Sequence, residues 1–318
     1  MKPLRARLHD ARKGLGIPWE VLERDYLLSW ILAGIGQVDS LRDTLVFKGG
    51  TALKKCWFGD YRFSEDLDFS GTAGVPTGPA MKNAMGSACR AAAQLLDEYA
   101  SVKIVCERYT EKAAHPGGQE AFSIHARFPW QRESQTRVLV EISMDEKVLK
   151  PTLLRAVIHE YGERFDATVR AYAMEEIVAE KLRAILQHVE KLNKRGWSRS
   201  RARDYYDLWR IFKSFGRQLT PTGFVPFLRE KCAVRNVSFQ SSADFFQETM
   251  LAYVEKTWNQ WLGPLVPDLP SYITVIDELR PKIDDMLGWG CMDTSRLPPI
   301  NPPTAAERPS FNQVSVLI

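Results

Sequence analysis

The sequence has no apolar run that approaches the roughly 18 residues of a membrane-spanning helix, so neither a membrane protein nor a membrane partner is expected. Cysteine is scarce and unpatterned. The five, at positions 56, 89, 106, 232 and 291, are odd in number and irregular in spacing, which suits neither a disulfide framework nor a zinc site. Reduced, partly buried thiols are expected instead. The five histidines are equally scattered, with no HExxH or comparable ligand spacing, so any metal chemistry must rest on carboxylates. Charge of one sign does not dominate: 43 Lys and Arg stand against 39 Asp and Glu, a net +4 that permits a polyanionic partner without demanding one. There is no internal repeat, which excludes solenoid architectures. The basic N-terminal stretch MKPLRARLHDARKGLG lacks the apolar core and small-residue cleavage site of a secretory signal, and the cytoplasm is the expected compartment.

What is present is an ordinary globular composition, 45% hydrophobic and 26% charged over 318 residues, enough for one large domain or two. IPWEVLERDYLLSWILAGIGQV carries apolar residues at helical spacing and predicts a packing helix. LVFKGG reads as a short buried strand entering a glycine turn, TALKKC as a helix start, and DLDFS as a second strand with alternating faces. A helix is predicted from Pro79 to Ala100, then strands in SVKIVCERY, AFSIHARFPW and RVLVEIS. After Pro151 the pattern turns helical, in AYAMEEIVAEKLRAILQHVEKL, DYYDLWRIFKSF, PTGFVPFLREKC, ADFFQETMLAYVEKTWNQWL and SYITVIDELRPKIDDML. The expected organisation is an α+β domain over 1–150, a helical domain over 151–290 and a proline-rich tail over 291–318.

The chemistry concentrates in GGTALKKCWFGDYRFSEDLDFS, residues 49–70. A glycine pair after a strand lets the backbone approach a ligand closely, and Thr51 adds a hydroxyl. Asp66 and Asp68, one residue apart on a strand, share a face and can hold a hard cation between them. A DxD alone occurs often by chance, and a solvent-facing edge strand would carry one as well. The order of parts strengthens the reading: glycine turn, helix, Arg62, Ser64, DxD, then Glu141 on a later strand. Three carboxylates on neighbouring strands suit two Mg²⁺ ions about 4 Å apart, the arrangement of nucleotidyl transfer from an NTP. Glu141 fits equally as a structural partner of an arginine.

GGTALKK followed by RFSEDLDFS resembles the first motif of the AbiEii/AbiGii toxin family of nucleotidyltransferases, within the DNA polymerase β-like superfamily. The strand with Glu141, the helix AEKLRA with Lys181, and RDYYDL from Arg203 match the same family in order, so the resemblance spans residues 49–208. It implies a minimal nucleotidyltransferase sheet with flanking helices, a following helical domain and an active site between them. It also implies Mg²⁺, an NTP, a cognate antitoxin of kinase or repressor type, and in several members transfer to the 3′ end of tRNA, which blocks translation. Carried over to this chain, Gly49, Gly50 and Thr51 would line the phosphates with Lys55, Arg62 and Ser64. Asp66 and Asp68 would be the metal ligands and Lys181 the triphosphate lysine. Asp204 would act as base or as orienter of Lys181, with Asp207 beside it, one of the two free to pair with Arg203. Phosphorylation at a motif hydroxyl in some relatives makes Ser64 and Thr51 candidate control points.

One stretch departs from the family's short connection between the two helical motifs. QHVEKLNKRGWSRSRA is long, and from Lys191 to Arg203 it has six basic residues and no acidic one. Lys191, Lys194, Arg195, Arg199 and Arg201, with Trp197 among them, read as an RNA contact or as a solvated basic loop at a helix end. Trp258 and Trp261 are expected to pack helices, His188 to end one, and His115 to lie in a turn. Transfer to a protein hydroxyl or a small molecule is the alternative reading, as is a non-catalytic RNA-binding module on the same fold.

Overall fold

The computed structural model describes residues 2–13, 15–109, 118–196 and 200–288. Its strands are β1 (Leu45–Lys48), β2 (Asp66–Gly71), β3 (Lys103–Arg108), β4 (Gln119–Arg127), β5 (Thr136–Ser143), β6 (Leu153–Ala156) and β7 (Thr168–Ala171). The helices are α1 (Leu4–Arg12), α2 (Trp19–Gly36), α3 (Asp39–Arg42), α4 (Gly49–Ala52, widening into a π turn over Leu53–Trp57) and α5 (Gly78–Asp97). They continue with α6 (Met174–Arg195), α7 (Ala202–Phe215), α8 (Phe224–Ala233), α9 (Glu248–Leu262) and α10 (Tyr272–Met286). The tail expected over 291–318 lies outside the described residues, as does His115.

The strands form one mixed sheet in the order β3-β4-β5-β2-β1-β7-β6. β1 runs antiparallel to β2 and parallel to β7, and β2 runs parallel to β5. Register decides what each face carries. Lys48 of β1 lies opposite Asp68 of β2, which lies opposite Glu141 of β5, so three charged side chains share one face in a row across the strands. One residue earlier or later in each strand, Phe47, Phe69 and Ile142 occupy the other face and are wholly buried.

α2 is apolar almost all round and buried along most of its length, the pattern of a core helix rather than a surface one. It packs on the alanine-rich α5 and against β5 and β7. Gly34 permits the close crossing: a Cβ there would come within 2.2 Å of the Ala88 carbonyl oxygen and 2.9 Å of the Ala92 Cβ.

The domain boundary expected at residue 150 is corrected by β6 and β7, which extend the sheet to Ala171. Each has only four residues; three of the four in β6 are exposed, and β7 alternates, with Val169 and Ala171 buried, over a span too short to stand out in the sequence. The helices from α6 onward pack on one another as expected, with α6 against α7, α8 and α9, and α7 against α9 and α10.

Candidate active site

A cleft with a cavity volume of about 210 Å³ opens where the charged face of the sheet meets α6, α7 and α9. Gly49, Gly50, Arg62, Ser64, Asp66, Asp68 and Glu141 line its sheet side, and Lys181, Ser200, Arg201, Arg203, Asp204 and Trp261 its helical side. A larger hollow of about 680 Å³ lies near Phe212 and Lys282, and one of about 210 Å³ brings Asp25 and Glu160 to the buried Lys55, but neither gathers three strand carboxylates opposite a lysine. Chemistry rather than size locates the site.

The glycine pair is demanded by the protein's own side chains. Gly49 has φ +78°, and a Cβ there would stand 2.5 Å from Asp68 Oδ2, while one on Gly50 would stand 2.1 Å from Arg62 Nη2. Both aspartate and arginine therefore lie directly over the turn. Burial pushes the Asp68 carboxyl up to about 7, with the neighbouring charges of Glu141 and Asp66 acting in the same direction and Lys48 opposing them.

The helical wall is held by ion pairs. Lys181 Nζ donates to Asp207 Oδ2 at 2.6 Å and to Asp204 Oδ1 at 3.1 Å. Asp207 is fully buried and also accepts from Arg62 Nε at 2.6 Å, Arg62 Nη2 at 2.7 Å and the Tyr61 hydroxyl at 2.6 Å. Burial alone would raise its pKa, but Arg62 and Lys181 outweigh that and hold the carboxyl well below the usual range. Asp204 is likewise lowered, against the effect of burial, by Lys181 and Arg201. Burial would discharge Lys181, yet Asp207 and Asp204 overcome it and its pKa is raised.

Several expected assignments are corrected by these contacts. Lys55 does not reach the cleft: it is 2% exposed, and its ammonium is bound to Asp25 Oδ2 at 2.8 Å and the Asp25 carbonyl at 2.9 Å. Thr51 is buried with its hydroxyl bonded to Ser64 Oγ and to the Asp66 carbonyl, so it joins the turn to β2 instead of facing phosphate. That contact also removes Thr51 as an accessible control point, whereas Ser64 does line the cleft. Arg62 lines the cleft, but three of its nitrogens are engaged by Asp207 and the Phe63 carbonyl, which makes it a strut under Lys181. Asp207, sealed beneath that strut, is a positioning residue and touches no cleft surface. Neither aspartate of the motif pairs with Arg203, which reaches Glu65 at 3.2 Å.

The long basic connection also takes a different form. α6 continues to Arg195 and ends on Gly196, whose φ of +72° and N–H to the Leu192 carbonyl form a left-handed cap. Lys191, Lys194 and Arg195 are therefore exposed residues of the last helical turns, with Lys194 paired to Glu190. Trp197 and Arg199 lie outside the described residues. Arg201 is not a surface cation: it is turned inward to Asp204 Oδ2 at 3.0 Å and His188 Nε2 at 2.7 Å. His188 stands inside α6, not at its end. Trp258 packs as expected, but Trp261 lines the cleft. Lys48, Ser200, Arg203 and Trp261 were not predicted from sequence as site residues. Lys48 left a signal as a cation immediately before the glycine turn, and Arg203 as the first residue of RDYYDL.

The donor set suits a hard cation. Asp66, Asp68 and Glu141 offer only oxygen, and the upward shift of Asp68 comes from burial first and from the neighbouring acids Glu141 and Asp66 second. Among the described residues no three His, Cys, Asp or Glu side chains converge as a ready metal cage. Mg²⁺ needs no such cage, since it keeps waters and takes one or two carboxylates together with substrate phosphates.

Comparison with known proteins agrees with this geometry. The profile of a family described as the nucleotidyl transferase AbiEii toxin of type IV toxin–antitoxin systems matches residues 30–288. No curated protein matches the sequence significantly. Among solved structures, the chain is similar to MenT4, a nucleotidyltransferase toxin from Mycobacterium tuberculosis H37Rv, with a TM-score of 0.56 and 18% identity over 92% of this chain and 94% of that one. At that identity the likeness concerns the fold.

Proposed function

Given that the chain belongs to the AbiEii family of type IV toxin–antitoxin nucleotidyltransferases, we propose that it transfers NMP from an NTP to the terminal hydroxyl of RNA, the 3′ acceptor end of tRNA, and so blocks translation. The observation that carries this reading is the facing of Lys181 by Asp66, Asp68 and Glu141 across one cleft. Lys181, kept charged by two aspartates, binds the triphosphate beside Gly49 and Gly50. Asp66, Asp68 and Glu141 would hold Mg²⁺, which when bound neutralises charge on the phosphates. Asp204, held ionised by Lys181 and Arg201, is a poor base and orients Lys181. In the reaction the acceptor oxygen bonds to the α-phosphorus as the bond to pyrophosphate breaks, and the hydroxyl proton leaves toward the carboxylate row.

The exposed Lys191, Lys194 and Arg195, on the turns of α6 that lead toward Ser200 at the cleft, support an RNA strand as the acceptor. No helix among the described residues is long and apolar enough to cross a membrane, in keeping with a cytoplasmic site of action. A cognate antitoxin of kinase or repressor type follows from the family, and phosphate on Ser64 would repel an incoming triphosphate. The test is incubation with each of the four NTPs and deacylated tRNA, protein alone or aminoglycosides, reading label and 3′ length. Extension of tRNA supports the proposal. Label confined to protein or to the small molecules overturns the choice of acceptor, and no label anywhere overturns transfer.

A further inference from the structure

α9 places two tryptophans one turn apart in opposite settings. Trp258 is 3% exposed, donates its indole N–H to the Pro270 carbonyl at 3.0 Å and packs edge-on to Tyr272. Trp261 is only partly buried and lines the cleft. Packing accounts for all of Trp258, whereas Trp261 packs on the core with one part of its ring system and turns another to the cleft. It is the only aromatic side chain lining the cleft among the described residues, where every other side chain is charged or a serine hydroxyl.

Those charged groups suit phosphates and a cation, and they leave the flat apolar part of a nucleotide without a counterpart. We propose that Trp261, braced by Arg203, is the stacking platform for a nucleobase in the transfer cleft, an inference that rests on the nucleotidyltransferase reading of that cleft. The bracing is specific. Arg203 carries its guanidinium to 5.5 Å from the Trp261 ring centroid and donates to Glu65, the residue immediately before Asp66 at the start of β2. Glu65 is fixed in turn by Arg24 of α2, with the Arg24 Nη1 to Glu65 Oε1 distance at 2.5 Å. The indole is thus tied through one cation–π contact and one ion pair to the strand that carries the carboxylates, which sets a fixed span between a stacked base and the reacting phosphate. A π-face accepts any base, so the platform supplies affinity and registration, not sequence readout.

The base belongs either to the incoming NTP or to the terminal nucleotide of the acceptor, and binding measurements separate the two. NTPs, a short single-stranded RNA and inorganic tripolyphosphate would each be titrated into the full chain and its Trp261→Ala and Trp261→Phe variants, alongside thermal melts. Trp261→Ala is expected to weaken either NTP or RNA by about 10- to 100-fold, with Trp261→Phe restoring most of the affinity and tripolyphosphate unaffected. Weakening of NTP assigns the incoming base, and weakening of RNA alone assigns the acceptor base. Unchanged affinity for both in Trp261→Ala overturns the proposal. So does equal weakening of tripolyphosphate, or a Phe variant as weak as the Ala variant, since either would mark a packing role. If the wild-type chain binds nucleotide in this Trp261-dependent way yet transfers none, the transfer reading fails and the platform stands.

Discussion

Lys55 and Lys181 are both buried and both bound to aspartate, yet they respond to the loss of water in opposite directions. Lys55 meets one carboxylate, that of Asp25, which the Tyr161 hydroxyl also engages at 2.7 Å. Desolvation there outweighs the attraction, and the lysine's pKa is drawn down. Lys181 meets two carboxylates, and its pKa rises. The Lys55 pair is neutral, and although it borders a hollow of about 210 Å³ its lysine is only 2% exposed. The cluster around Lys181 counts three cations, Lys181, Arg62 and Arg201, against the two anions Asp204 and Asp207, and it ends at a cleft. Burial against one carboxylate makes a lysine structural, whereas burial between two carboxylates keeps it charged, and the net positive cluster that results is available to an anion.

The largest effect expected lies across the cleft from Lys181. Asp66→Asn and Asp68→Asn should each lower nucleotidyl transfer by about 10³-fold, since each removes an oxygen from the row that faces the phosphates. The melting temperature of Asp68→Asn should equal or exceed that of the wild type, because the exchange relieves repulsion from Glu141 and Asp66. A melting temperature several degrees lower would show that Asp68 is a structural acid after all. Lys181→Met should lower kcat by about 10²-fold. Its cost in stability should stay near 1–2 kcal/mol, roughly, because Asp207 keeps Arg62 and Asp204 keeps Arg201.

Lys55→Met inverts that pattern. Asp25 would lose its cation inside the core, at a cost of about 3–5 kcal/mol by denaturant unfolding, while transfer per folded molecule stays within about twofold of wild type. Replacing both partners, as in Lys55→Met with Asp25→Leu, should recover most of the loss, because no uncompensated charge is then left buried. A large fall in kcat for Lys55→Met in the folded protein would return Lys55 to the phosphate site and dissolve the contrast between the two lysines.

That contrast was only half legible in the sequence. The strand and helix order, the DxD face and the place of Lys181 follow from periodicity and motif, because period-2 and period-3.6 patterns report which side of an element is buried. The direction in which Lys55 points does not. The π turn over Leu53–Trp57 and the depth of α2 decide it, and both are tertiary facts. β6 was missed because three of its four residues are exposed, and β7 because two buried positions, Val169 and Ala171, make too short a pattern without the fully apolar start and glycine turn that mark β1. Trp258 and Trp261 illustrate the same limit on one helix. Their spacing is that of neighbours on a face, yet one is capped by Pro270 and the other opens on the cleft, a difference set by elements far away in the chain.

The smallest effect expected tests how far the Lys181 cluster reaches. His188 receives Arg201 Nη2 at Nε2, and because arginine can only donate, the imidazole must be neutral with its proton on Nδ1, donated to the Ala184 carbonyl at 2.9 Å. Burial and then Arg201 lower its pKa from 6.5 to about 4. With the folded value below the unfolded one, the contribution to stability is full above pH 6.5 and is lost as the pH falls through about 4. The whole change amounts to ~3 kcal/mol, and partial exposure reduces it to about 2 kcal/mol. Between pH 7.5 and pH 4, urea unfolding should therefore cost the wild type about 2 kcal/mol more than His188→Gln, whose amide cannot take up the proton. Over the same range, charging His188 sets a cation against Arg201, which holds Asp204, which holds Lys181, so transfer by the wild type should decline more steeply than transfer by the variant. Parallel pH profiles for the two proteins would place His188 outside the cluster and end the chain at Arg201.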